Sequence, residues 1–259
     1  MIVPHTAQAM EEPTTTARPK LLQGAVAGVG LFVIGYVVVD LLPVVLPSSP
    51  GLFGLRLNDV LDALFVFVLV GLYVRLGMDA NLWRTPVLRV AYATALILLI
   101  QGHAVHFAAN AIVEARGPTA QARDLAFFLD EHWGHTELHL AFILLAALFI
   151  AYGRSSDVEG PAPNLSRAER VVLYLATVTY GLILAADAIE GQTVLIMLPS
   201  GIGLFLWAFL PRLRFAWKPS RAAKISVYRY FFAASFGIAA VALVIYGVVM
   251  RGFPEISTL

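Results

Sequence analysis

The chain has 259 residues, 59% hydrophobic and 14% charged, with a mean hydropathy of +0.78, a net charge of +1 and no cysteine. Globular domains average about 45–50% apolar and about 25% charged residues, so this composition argues against a soluble enzyme, a disordered chain or a nucleic-acid binder. The lack of cysteine excludes disulfides and thiolate-held metals, leaving His, carboxylate, amide oxygen and water as metal ligands.

Residues 1–20 are polar and Thr/Pro-rich, with Glu11 and Glu12 and no basic residue before Arg18. This does not match a secretory leader and reads as a disordered cytoplasmic tail. An all-α integral membrane domain of seven transmembrane helices is expected over 21–252, with a short outer tail at 253–259. The apolar stretches fall at 24–46, 60–78, 87–113, 125–152, 169–190, 193–213 and 229–250. Each is close to the ~20 residues that a helix needs to cross the hydrocarbon. Only Gly191, Gln192 and Thr193 separate the fifth from the sixth. Pro199-Ser200-Gly201 predicts a kink or a re-entrant segment in the sixth. The Ser/Pro/Asp-rich segment 153–168 reads as a surface loop, and 211–229 as a basic loop with an aromatic anchor at Trp217.

Basic residues set the expected orientation. Of the 18 Lys and Arg, only Arg56, Arg116, Arg123 and Arg251 fall on one side of this arrangement, and the other fourteen gather on the opposite side. The amino terminus is therefore expected in the cytoplasm and the carboxyl terminus outside, as for a protein of the plasma membrane.

Ionisable residues inside spans cost roughly 2.5–3.5 kcal/mol each on an insertion scale and point to function by default. Five of the six histidines, His103, His106, His132, His135 and His139, lie on the third and fourth stretches. With the expected topology they fall in the outer half, as do Glu131, Asp187 and Glu190, while the inner half holds nothing comparable. At 1.5 Å per residue, His103 and His135 lie about 15 Å below the outer boundary, and His106, Glu131 and His132 about 10–12 Å below it. At 100° per residue His103, His106, Asn110 and Glu114 share one arc of the third helix. Asp124, Glu131, His132, His135 and His139 share another on the fourth, while Asp130 and Glu137 are expected to face elsewhere. Asp187 and Glu190 lie on one side of the fifth helix with Tyr180. Asp40, Asp59, Asp62, Glu114 and Glu137 read best as capping or interfacial groups.

Imidazole with carboxylate suits a transition metal, zinc or iron first and copper as a further option, as one ion or two. The expected ligands are His103, His106, His135 and His139, completed by Asp187 or Glu190. Glu131 and His132 are the expected proton-transfer groups, and Asn110 and Tyr180 would orient the ligands. A retinal lysine is missing from the last stretch, and two-haem spacing, Walker A, G-x-S-x-G and H-E-x-x-H motifs are absent. The expected activity is metal-dependent hydrolysis of a lipid or lipid-like substrate, with oxygen-activating oxidation and non-catalytic metal binding or transport as alternatives.

The chain resembles the alkaline-ceramidase and adiponectin-receptor group in span number and in placing metal ligands within helices. That group takes two histidines from its last span as H-x-x-x-H, whereas 229–250 has none. His132-x-x-His135-x-x-x-His139 is similar to the histidine clusters of membrane desaturases and hydroxylases, whose clusters are more numerous and face the cytoplasm. The sequence assigns the chain to neither family.

Overall fold

Each apolar stretch becomes one helical rod. A computed structural model describes residues 24–45, 57–114, 119–153, 165–215 and 226–256. The elements are α1 (Gly24–Val45), α2 (Leu57–Asp79), α3 (Pro86–Glu114), α4 (Ala120–Phe127), a π-helical segment (Phe128–Gly134), α5 (His135–Tyr152), α6 (Arg167–Glu190), α7 (Val194–Phe215) and α8 (Val227–Val249). There is no strand among the described residues. Five helical stretches are long and apolar enough to cross a membrane: Gly24–Leu41, Pro86–Val113, Ala120–Tyr152, Arg167–Glu190 and Val227–Val249. Val194–Leu210 is a shorter apolar helix. The expected tail 1–20, most of the loop 153–168, much of the 211–229 linker and the side chains of Asp59, Asp62 and Glu114 lie outside the described residues.

Local chemistry sets the helix starts. Thr119 accepts the Ala122 N–H and opens α4. Ser166 and Glu169 form a reciprocal capping box at α6, and Ser226 accepts the Arg229 N–H at α8. At Pro199, where a kink or a re-entrant segment is expected, α7 is not interrupted and stays helical from Val194 to Phe215. Proline near a helix start forfeits one backbone hydrogen bond, and packing within a bundle tolerates that loss.

Exposed side chains are apolar on the outward faces of the long helices. Leu31, Ile34 and Val38 repeat at helical spacing on α1, and Val241, Val244, Ile245 and Val248 on α8. Contiguous apolar surface of this kind belongs against hydrocarbon rather than water. Inside, Phe32 meets Tyr73 at 4.8 Å and Tyr180 at 5.4 Å between ring centroids, while Phe149 stacks on Phe232 at 4.4 Å. The buried hydroxyls are paired: Tyr73 with Tyr180 at 2.7 Å, and Tyr92 donating to the Tyr73 carbonyl at 2.5 Å.

The two ends of the bundle differ. At one, Arg84 donates to the carbonyls of Asn81 and Tyr152, and the Ser226 hydroxyl donates to the Gly153 carbonyl. The close of α3, the π segment, the α6–α7 turn and the residues after α8 gather at the other, which holds His106, Asp130, Glu131 and His135. There α3 and the fourth rod approach backbone to backbone. A Cβ on Gly102 would lie 2.6 Å from the Leu138 nitrogen and 2.8 Å from the Gly134 oxygen, so only glycine fits. This contact carries His106 to within reach of the π segment.

Candidate metal centre

His106 projects from α3 about 12 Å along the axis from the helix end at Glu114. Its Nδ1 is hydrogen-bonded to Asp130 Oδ1 at 2.5 Å, and its Nε2 to the Asn110 amide group at 3.1 Å. His135, the first residue of α5, faces the same carboxylate, with its Nδ1 3.7 Å from Asp130 Oδ1 and 3.6 Å from Glu131 Oε2. The rings of His106 and His135 have centroids 4.7 Å apart. One ligand atom from each of His106, Asp130 and His135 lies within 4.8 Å of the others, a group that could hold a metal ion.

Two buried atoms here make no hydrogen bond, though they stand 3.6 Å apart. His135 Nδ1 and Glu131 Oε2 have no hydrogen-bond partner, although both belong to strongly polar groups. Buried polar atoms without partners cost on the order of 1–3 kcal/mol each, more where charged, and call for an explanation such as an ion. Two carboxylates facing two imidazoles supply the charge and the nitrogen donors that a divalent transition metal requires. The four side chains are a quarter exposed or less, so the group is shielded without being sealed.

The π segment makes this arrangement. It spans Phe128–Gly134, and the His135 N–H that follows it bonds to the Asp130 carbonyl. Pairing from i to i+5 widens the turn and brings Asp130 onto the His135 side. The uniform 100° step used on the sequence turned Asp130 away, and that expectation is corrected here. Asp130 was therefore missed as a site residue. The available signal was its position five residues before a histidine in a run, Asp130-Glu131-His132-Trp133-Gly134-His135, too polar for an uninterrupted lipid-facing helix.

The remaining expected residues spread around this group. His103 lies one turn from His106, with ring centroids 6.2 Å apart. His139 is fully buried one turn beyond His135; its Nδ1–H is shared between the His135 carbonyl at 2.8 Å and Thr193 Oγ1 at 3.1 Å, and its Nε2 is unpaired. His132 is exposed, its ring against Phe127 and Phe128 with centroids 5.8 Å from each. Asp187 accepts the Tyr36 hydroxyl at 3.1 Å in a separate cluster between α1 and α6, and Tyr180 is paired there with Tyr73. Glu190 ends α6, next to Gly191, which touches His135. Glu137 accepts from Gln101 at 3.1 Å.

Comparison of the chain with protein-family models, with curated proteins and with solved structures gives no match.

Proposed function

We propose that the chain is a membrane-embedded metalloenzyme of seven spans whose metal, held by His106, Asp130 and His135, serves hydrolysis of a lipidic substrate at the outer side of the plasma membrane. The observation that carries the reading is the three-residue ligand group, beside which His135 Nδ1 and Glu131 Oε2 are buried without a hydrogen bond and 3.6 Å from each other. A bound ion accounts for the first, and a proton-accepting role accounts for the second.

A transition metal in this setting supplies Lewis acidity and acidifies a coordinated water. The protein's part follows from the side chains. Glu131, next to the ligand Asp130 and within 3.6 Å of His135 Nδ1, is placed to take the proton of an attacking water and return it to the leaving group. Asn110 fixes the His106 ring through its second nitrogen, as outer partners of metal ligands commonly do. The apolar flanks of the long helices bring lipid beside the site, which favours an ester, amide or phosphate of a lipid as substrate.

A second reading rests on the donor count. Two histidines and one carboxylate with open positions form the donor set of non-haem iron oxygenases, which favours oxygen-dependent oxidation of an acyl or isoprenoid chain. Metal analysis of the purified full-length protein tests both. About one equivalent of metal is expected, falling to background in His106→Ala and His135→Ala variants. Full retention in both variants, or no stoichiometric metal in the parent, overturns the reading. Zinc with turnover of an acyl p-nitrophenyl ester supports hydrolysis. Iron with oxygen-dependent spectral change supports oxidation.

A further inference from the structure

Between α6 and α7 the chain reverses in Gly191, Gln192 and Thr193, and each of these residues reaches toward the histidines of α5 or toward the residues after α8. Gly191 has φ −82° and ψ 14°, a conformation open to any residue. Space, rather than backbone freedom, calls for glycine there. A Cβ at this position would lie 2.7 Å from Cγ and 2.9 Å from Cδ2 of His135. Thr193 meets His139 Nδ1 at 3.1 Å, and that nitrogen also donates to the His135 carbonyl. The proton is thereby held on Nδ1, and Nε2 keeps its lone pair.

Gln192 links this turn to the end of the described chain. It sits at φ 48°, in the left-handed region that a glutamine adopts only when held there. Its side-chain amide donates to the Ile189 carbonyl at 2.7 Å and to the Phe253 carbonyl at 3.3 Å. The segment bearing Phe253 is secured in turn. The Gly252 N–H donates to the Gly247 carbonyl at 3.0 Å, the Tyr246 hydroxyl donates to the Pro254 carbonyl at 2.7 Å, and the Phe253 ring fills the space beside Gly247.

We propose that the α6–α7 turn, latched through Gln192 to the segment after α8, is a positioning element for the metal centre. Gly191 seats the ring of the ligand His135, and Thr193 fixes the ring of His139, which is not itself a ligand but bonds through Nδ1 to the His135 carbonyl. The three turn residues are positioning residues, since they act on the site only through these rings. The inference rests on the reading of His106, Asp130 and His135 as metal ligands. A ligand ring with a wall behind it loses less freedom when the ion binds, and partners of this kind typically change metal affinity about 10–100-fold.

The test is a titration of the purified, metal-depleted full-length protein with Co(II), read by its visible d–d absorption, with thermal unfolding of the metal-free protein in parallel. Gly191→Ala is expected to weaken Co(II) binding about 10–100-fold and to shift the d–d band. Gln192→Gly relaxes the backbone while removing the latch, so it is expected to weaken binding without lowering the unfolding temperature in proportion. Thr193→Val is expected to weaken binding, and Thr193→Ser to restore it. Should Gly191→Ala fail to fold, Gln192→Gly and the Thr193 pair decide. Parental affinity and an unchanged spectrum in Gln192→Gly and Thr193→Val overturn the positioning role and leave the metal reading intact. No Co(II) binding by the parent overturns the metal reading and the positioning role with it.

Discussion

Asp130 and His135 are five residues apart yet stand on the same side of one helix, with the His135 N–H bonded to the Asp130 carbonyl. In a regular α-helix five residues advance about 500°, leaving the two side chains about 140° apart. The wider turn of the π segment narrows that offset, and π-helical turns are frequent at functional sites.

This relationship predicts the result of shortening the segment. Deleting the exposed Trp133 leaves Asp130 and His135 four apart, which an ordinary α-helix places about 40° from each other. The deletion is expected to retain about one equivalent of metal, while Asp130→Ala is expected to lose it. Metal analysis of the two purified variants checks this. Loss of metal on deleting Trp133 would show that the wide turn, and not only the proximity of Asp130, is required.

The same relationship marks where the sequence was legible. The apolar stretches at 87–113 and 169–190 match α3 (Pro86–Glu114) and α6 (Arg167–Glu190) closely, because hydrocarbon thickness and helical rise constrain length directly. His106 and His135 could be assigned to the third and fourth apolar stretches for the same reason. Asp130 could not, since a uniform helical step does not anticipate a local change of pitch such as the π segment at Phe128–Gly134. Asp187 illustrates the opposite difficulty. Its place near the end of a long apolar helix was legible, but its partner, the Tyr36 hydroxyl on α1, depends on which helices are neighbours, and sequence periodicity carries no such information.

Asn110 tests whether an outer partner tunes the centre. Its amide lies 3.1 Å from His106 Nε2, the nitrogen opposite the one that faces Asp130. Asn110→Leu preserves approximate size but removes the hydrogen bond. Metal affinity is expected to fall about 10–100-fold with little change in unfolding temperature. Competition with a chromophoric chelator measures the change, and an unaltered affinity would remove Asn110 from the site.

Gly102 tests the approach that creates the centre. A methyl group there meets the backbone atoms of Leu138 and Gly134, which cannot rotate aside as a side chain would. Gly102→Ala is expected to destabilise the protein by about 1–3 kcal/mol, the usual range for overpacking. Metal content should fall as well, because separating α3 from the π segment draws His106 away from Asp130. Differential scanning fluorimetry and metal analysis on one preparation read both effects. A stability loss with full metal retention would uncouple the contact from the site.

The side of the membrane on which the centre opens is tested by labelling, and a chain with no cysteine is well suited to it. Gln121, on α4, lies at the end of the bundle that holds the π segment, and Thr85, in the α2–α3 turn, lies at the opposite end beside Arg84. Fourteen of the 18 basic residues accompany Thr85 in the expected topology, so that end is expected in the cytoplasm. In intact cells a membrane-impermeant maleimide is therefore expected to modify a Gln121→Cys variant and to reach a Thr85→Cys variant only after permeabilisation. The reverse pattern would place the metal centre against the cytoplasm. An outward-reading carboxylate–histidine site would then have to be rethought as one that draws its metal, and meets its substrate, from inside the cell.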